Sequence, residues 1–235
     1  MIKRVYSPDE LSELPKIGIE AQKIRALLQA YGTGYDFCRF YSAEDLIIAR
    51  FYDEFVICTF GNGDFEELCE FLSFSGFSKL FCSEESGKLL SEKLRLNRES
   101  LNIMRFSGNL CEAPEKVSEL SLSEAYSILK TSFEIDYEPW YLDMSHRVRH
   151  GISRFYGFNG SVLCVQHNLC GQALLSQIAT FPEMRNRGNA SSLITTVCRM
   201  LSPSDVFLLC EDKLLDFYRK VGFEQCGIKY ELSRE

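Results

Sequence analysis

Several absences bound what this chain can be. Cysteine occurs ten times, yet no two stand in a Cys-x-x-Cys pair; of only three histidines, two are spaced as zinc ligands could be, but no third ligand is apparent, so no metal site is expected. No run reaches the roughly 18 consecutive apolar residues of a membrane span, so no membrane partner is expected. The opening residues, Met1 to Glu10, carry two basic side chains but no apolar stretch; no secretory leader is read there, and a cytoplasmic location is expected. Positive charge is in the minority, with 26 Lys and Arg against 33 Asp and Glu and a net charge of −7. That balance argues against a nucleic-acid coat or an anionic-membrane binder, so no nucleic-acid partner is expected. Without a leader, the cysteines read as reduced, buried, small hydrophobes; most lie in apolar runs such as Val56-Ile57-Cys58 and Leu208-Leu209-Cys210.

What is present is enough for a packed core. Of 235 residues, 46% are hydrophobic, 13% aromatic and 25% charged, which is a globular balance. At about 100–200 residues per domain the length suits one large domain or two small ones. The hydrophobic pattern breaks near Ser107–Ser118, where Ser-Gly-Asn and Glu-Ala-Pro-Glu interrupt it, and this seam divides the chain into residues 1–112 and 113–235. The first half reads as mixed α/β. Helices are predicted over Ile17–Ala30, Phe65–Phe74 and Glu84–Leu94. Strands are predicted over Phe37–Tyr41, Leu46–Tyr52, Phe55–Phe60, Lys79–Cys82 and Leu101–Phe106, with a tight turn at Asp53-Glu54. Gly61-Asn62-Gly63 follows a strand and precedes a helix. It suits an anion site superficially, but a plain turn with Asp64 as helix cap explains it better.

The second half opens on Ser121-Leu-Ser-Glu124, a capping box in which a Ser hydroxyl and a Glu carboxylate satisfy opposing amides. A helix over Leu122–Lys130 and another from Pro139 to about His150 follow. Strands are predicted over Ile152–Phe158 and Ser161–Gln166, joined by a type I′ turn at Asn159-Gly160. Beyond them come strand Gln172–Thr180, helix Ala190–Met200, strand Val206–Cys210, helix Leu214–Val221 and strand Ile228–Leu232. His167 is placed in a turn.

The segment Ile178-Ala-Thr-Phe-Pro-Glu-Met-Arg-Asn-Arg-Gly-Asn-Ala190 carries the chemistry. A strand ends, Pro182 turns the chain, and Arg185-x-x-Gly188-x-Ala190 opens a helix. Unpaired amides at a helix start, reinforced by the helix dipole, make a cradle for phosphate oxygens. Gly188 permits close approach, Ala190 is small, and Arg185 and Arg187 add positive charge. The loop is neither a P-loop nor a complete Gly-x-Gly-x-x-Gly fingerprint.

With Tyr218 and Gly222-Phe223 following in order, this set resembles the GNAT family, the Gcn5-related N-acetyltransferases. Their acyl-CoA loop is Gln/Arg-x-x-Gly-x-Gly/Ala after a strand, and their late motif is a Tyr shortly before Gly-Phe. The resemblance covers Ser121–Leu232 and implies a mixed, mostly antiparallel twisted sheet flanked by helices. It allows the first half to be a degenerate second copy in tandem. It implies an enzyme moving an acetyl group from acetyl-CoA to a small-molecule or peptide amine, by direct attack in a ternary complex. Backbone groups of Ile178, Ala179 and Thr180 would hold the pantetheine arm. Amides of Arg185, Asn186, Arg187, Gly188, Asn189, Ala190 and Ser191 would hold the pyrophosphate. Tyr218 would protonate the leaving thiolate. Two departures stand out: Glu211 replaces a frequent cofactor-contacting Asn, and strand Gln172–Thr180 carries no carboxylate to act as base.

His146 and His150 share a helix face. His146 is the candidate general base or substrate contact; the alternative is that Arg147, Arg149 and His150 complement the helix dipole, with Asp143–Arg147 as a surface ion pair. Trp140, Tyr137 and Tyr141 either flank an acceptor or pack the core, and Glu134, Asp136 and Glu138 either attract a cationic amine or form a solvated loop. Three other readings stay open: a non-catalytic acyl-CoA-binding module, an aminoacyl-tRNA-dependent transferase with tandem GNAT-like domains, and a structural or interaction protein that binds no cofactor. A homodimer is also open.

Overall fold

The computed structural model describes residues 1–61, 63–108 and 116–234; Asn62, Cys111 and the Glu-Ala-Pro-Glu part of the seam lie outside the described residues. Twelve strands and seven helices follow one another among those described. In order they are β1 (Lys3–Val5), α1 (Ile19–Tyr31), β2 (Cys38–Ala43), β3 (Leu46–Phe51), β4 (Glu54–Thr59), α2 (Phe65–Ser75), β5 (Lys79–Ser83), α3 (Glu84–Leu94), β6 (Asn97–Phe106), β7 (Ser118–Glu119), α4 (Leu122–Leu129), α5 (Tyr137–Arg149), β8 (Arg154–Phe158), β9 (Ser161–Leu169), β10 (Gln172–Thr180), α6 (Asn189–Met200), β11 (Asp205–Cys210), α7 (Leu215–Val221) and β12 (Phe223–Ser233). They fall into two compact units, Met1–Asn102 with the segment from Gly227 onward, and Ile103–Cys226.

In the first unit β2, β3 and β4 form an antiparallel meander. Helix α2 then crosses over to β5, which runs parallel to β4, and the end of β12 pairs antiparallel with β5. Alternation along the strands feeds two layers. Leu46, Ile48, Phe55, Ile57 and Leu80 pack with Leu68 and Leu72 of α2 and Leu90 of α3, while α1 covers the other face of β3, β4 and β5. Helix α2 starts on Asp64, whose carboxylate accepts from the amides of Glu66 and Glu67, both at 3.0 Å.

The second unit repeats the order of meander, crossover helix and parallel strand. β8, β9 and β10 are antiparallel, α6 crosses over, and β11 pairs parallel to β10. Leu163 and Val165 of β9 face one way, into a core with Leu193, Ile194 and Val197 of α6, Leu208 of β11, and Tyr218 and Phe223. Val162 and Cys164 face the other way, against Leu129 of α4 and Trp140 and Met144 of α5. The Asn159-Gly160 turn has φ of 44° and 74°, the positive pair that a type I′ hairpin requires.

Four local expectations are corrected. The β3–β4 turn is Tyr52-Asp53, one residue earlier than predicted, with Tyr52 at φ 54°. Helix α5 begins at Tyr137, so Pro139 is its third residue, still inside the turn whose amides have no helical partner. His167 is not in a turn but buried in β9, opposite Leu174. The Asp143–Arg147 pair, at 2.7 Å, is largely buried rather than on the surface, with side-chain exposures of 19% and 8%.

Candidate functional site

The backbone between β10 and β11 makes an opening. Their parallel pairing runs from Gln172↔Asp205 to Leu175↔Leu208 and stops there, although β10 continues to Thr180 and β11 to Cys210. At the point of divergence β10 carries a bulge. Ser176 pairs with Cys164 and Ala179 with Val162, so Gln177 and Ile178 together stand opposite Leu163 alone. Gln177 takes φ 48°, the left-handed region that non-glycine residues rarely adopt.

A cleft of about 460 Å³ occupies this opening. One wall is Ile178, Ala179 and Thr180; the floor is the loop and helix start from Met184 to Ser191; the far wall is Leu214, Phe217 and Tyr218, with Ser132 at the rim. Gly188 precedes α6 at φ 78°, and no side chain caps the helix. The first helical bond runs from the Ser192 amide to the Gly188 carbonyl at 3.0 Å. The amides of Asn189, Ala190 and Ser191 therefore lie ahead of the hydrogen-bond ladder, at the positive end of the helix dipole. A Cβ built on Gly188 would meet nothing within 4 Å, so backbone conformation rather than space calls for glycine there.

The arginines act differently from a simple charged rim. Arg185 donates from Nε to the Thr180 carbonyl at 3.1 Å and from its terminal nitrogen to Ser132 Oγ at 3.0 Å. Arg187 donates to the Glu183 carbonyl at 2.9 Å, and Asn189 Nδ2 to the Met184 carbonyl at 3.1 Å. These bonds tie the loop to the end of β10, to Ser132 and to itself. Arg187 is absent from the cleft lining, unlike the other predicted loop residues.

Tyr218 is 7% exposed and packs edge-on against Phe217 and Phe223, at 5.1 and 5.9 Å between ring centres. Burial pushes its phenol pKa up, so the group stays protonated at neutral pH. His146 does not reach this place. It lies on α5, stacked on His150 at 4.3 Å, outside the cleft lining. Trp140 is buried and donates from Nε1 to Gln177 Oε1 at 3.3 Å, a contact for which the sequence offered no signal. Glu211 sits exposed before a 3-10 turn and pairs with Lys213 at 2.6 Å. Among the described residues no cluster of three or more His, Cys, Asp or Glu is placed to hold a metal ion, and no helix is long and apolar enough to cross a membrane.

No protein-family model matches the sequence, and no curated protein matches it either. Solved structures do match. A GCN5-related N-acetyltransferase from Kribbella flavida aligns with TM-score 0.61 at 16% identity, over 93% of this chain and 96% of that one. A GNAT-family acetyltransferase from Colwellia psychrerythraea aligns with TM-score 0.60 at 10% identity over the whole of both chains. A Drosophila protein aligns with TM-score 0.69 at 11% identity, over 99% of this chain and 98% of that one. The chain therefore has the GNAT fold, a mixed twisted sheet flanked by helices.

Proposed function

We propose that the chain is an N-acetyltransferase that uses acetyl-CoA and an amine acceptor. The observation that carries this reading is the uncapped start of α6, opening into a cleft between diverging parallel strands. A diphosphate suits the three leading amides and the dipole behind them. The strand edge of Ile178 and Thr180, past the last pair with β11, suits an extended amide-bearing arm that adds like a strand. The Thr180 carbonyl already accepts from Arg185, which leaves one lone pair for such an arm.

Acetyl-CoA, when bound, supplies the activated acyl group. This chain's residues then orient and exchange protons. The buried phenol of Tyr218 would give its proton to the departing thiolate, and the apolar wall of Leu214 and Phe217 would keep water from the acyl carbon. The amine attacks directly in a ternary complex, with catalysis resting on positioning and proton transfer.

One observation favours a second reading. None of the described lining residues is Asp, Glu or His, so no wall of the cleft offers a conventional base. A non-catalytic acyl-CoA-binding module accounts for that composition. Calorimetric titration with acetyl-CoA, free CoA and ATP tests the shared premise: micromolar binding, about −8 kcal/mol, that prefers the CoA ligands is expected. Absence of binding by folded protein refutes both readings. A panel of amines, with acetylated product detected by mass, then separates enzyme from module.

A further inference from the structure

The bulge in β10 sets the direction of the strand edge that lines the cleft. It is an improbable structure for the residue that makes it. Gln177 has φ 48° in the interior of a nine-residue strand, where a left-handed conformation is disfavoured for any side chain with a Cβ. Something must select this state over the regular strand. A strand without the extra residue would carry Ile178 and Ala179 to opposite faces from those they occupy, because side chains alternate with period two. Ala179 now packs in the core with Trp140 and Phe155, and Ile178 lines the cleft.

The side chain of Gln177 is held from outside its own strand. Trp140, on α5, donates its indole N–H to Gln177 Oε1 at 3.3 Å across 37 residues of sequence. The indole itself is fixed. It is 8% exposed and touches Tyr126 and Phe155, with ring centres 5.5 and 5.7 Å away. A rigid, buried donor aimed at one acceptor rewards only those backbone conformations that bring the acceptor to it. Burial of the indole also raises the cost of leaving its N–H without a partner.

We infer that Trp140 and Gln177 form a positioning pair, whose hydrogen bond holds the β10 bulge in the conformation that presents the Ile178–Thr180 edge to the acyl-CoA arm. The inference rests on the acyl-CoA reading above. Neither residue is catalytic, since neither lines the cleft; both act through the strand edge.

Trp140 is the only tryptophan in the chain, so tryptophan emission reports on the surroundings of this one indole. Gln177→Leu removes the acceptor and keeps the stem; Gln177→Glu keeps an acceptor oxygen. In ligand-free protein the Leu variant is expected to shift the emission to shorter wavelength and the Glu variant to restore it. Unchanged emission in Gln177→Leu overturns the bond without any ligand. Acetyl-CoA affinity is expected to fall about three- to tenfold in Gln177→Leu and in Trp140→Phe, the net worth of one hydrogen bond. The double variant is expected to fall no further than the weaker single, because both remove the same interaction. Wild-type affinity in both singles, or losses that multiply in the double, overturns the pair while leaving the acyl-CoA reading intact. Failure of the wild-type protein to bind acetyl-CoA removes that reading, and the pair's role with it. Far-ultraviolet circular dichroism identifies any variant that fails to fold, and the Gln177 variants carry the test if Trp140→Phe does so.

Discussion

Replacing Tyr218 with Phe removes one oxygen from the far wall of the cleft, and the structure sets what should follow. The ring is held by Phe217 and Phe223 and belongs to the apolar core of α6, β10 and β11, contacts that a phenylalanine keeps. The folding free energy should change by less than about 1 kcal/mol. Acetyl-CoA affinity, measured by calorimetry, should stay within about threefold of wild type, because the cradle amides are untouched. Turnover with the best amine of a panel should fall by about 10²–10⁴, the usual worth of a placed general acid, or roughly 3–5 kcal/mol of barrier. The pH dependence has a definite sign. Burial raises the phenol above its ordinary value of 10.0, so the acid form persists through that pH and contributes no falling alkaline limb below it. Product should be followed by mass rather than by thiol capture, because the protein brings ten cysteines of its own. Turnover equal to wild type in Tyr218→Phe, with affinity also equal, removes Tyr218 from the acid role.

Three further outcomes are expected. Gly188→Glu places a carboxylate at the helix start and imposes the left-handed backbone cost, about 1–2 kcal/mol; acetyl-CoA binding should leave the micromolar range, whereas Gly188→Ala should show the backbone cost without the charge, and equal affinities in the two would refute the cradle. Arg147→Ala strands Asp143 in a largely buried site and should cost about 3 kcal/mol in urea unfolding, with Asp143→Leu/Arg147→Met recovering most of it; a loss below about 1 kcal/mol would place the pair among ordinary surface pairs. Burial pushes the thiols of Cys58, Cys82, Cys164 and Cys198 up to about 12, so at pH 8 they remain protonated and unreactive; labelling of native protein followed by peptide mass analysis should find Cys170 and Cys226 modified rapidly and those four untouched.

Much of the fold was legible because local chemistry and hydrophobic period agreed. Helix α3 runs over Glu84–Leu94 as predicted, with Ser83 capping its start, and β10 runs over Gln172–Thr180 as predicted. Short or atypical strands escaped. β1 and β7 have three and two residues, too few for any period to register. β12 begins at Phe223, ahead of the predicted Ile228, through the polar, exposed run Glu224-Gln225-Cys226 that carries no alternation. At the site, the loop from Arg185 to Ser191 was readable from its glycine, arginines and preceding Pro182. The bulge was not, because a left-handed glutamine leaves no mark in composition. Nor were the partners of Arg185, a backbone carbonyl and a serine 53 residues away. His146 and His150 share a helix face as their spacing predicts, and the two rings stack at 4.3 Å.

The two crossover helices differ in how their first turns are completed. Asp64 gives α2 a permanent carboxylate, supplied by the chain itself, so that helix is finished as soon as it folds. Helix α6 begins on a glycine, and no side chain caps its start. An anionic ligand that completes it couples its own concentration to the stability of everything α6 packs against, by about 2.7 kcal/mol at a hundredfold excess over Kd. On the acyl-CoA reading, the melting temperature of the second unit is expected to rise with acetyl-CoA concentration, whereas the start of α2, capped by its own Asp64, gains nothing from the ligand.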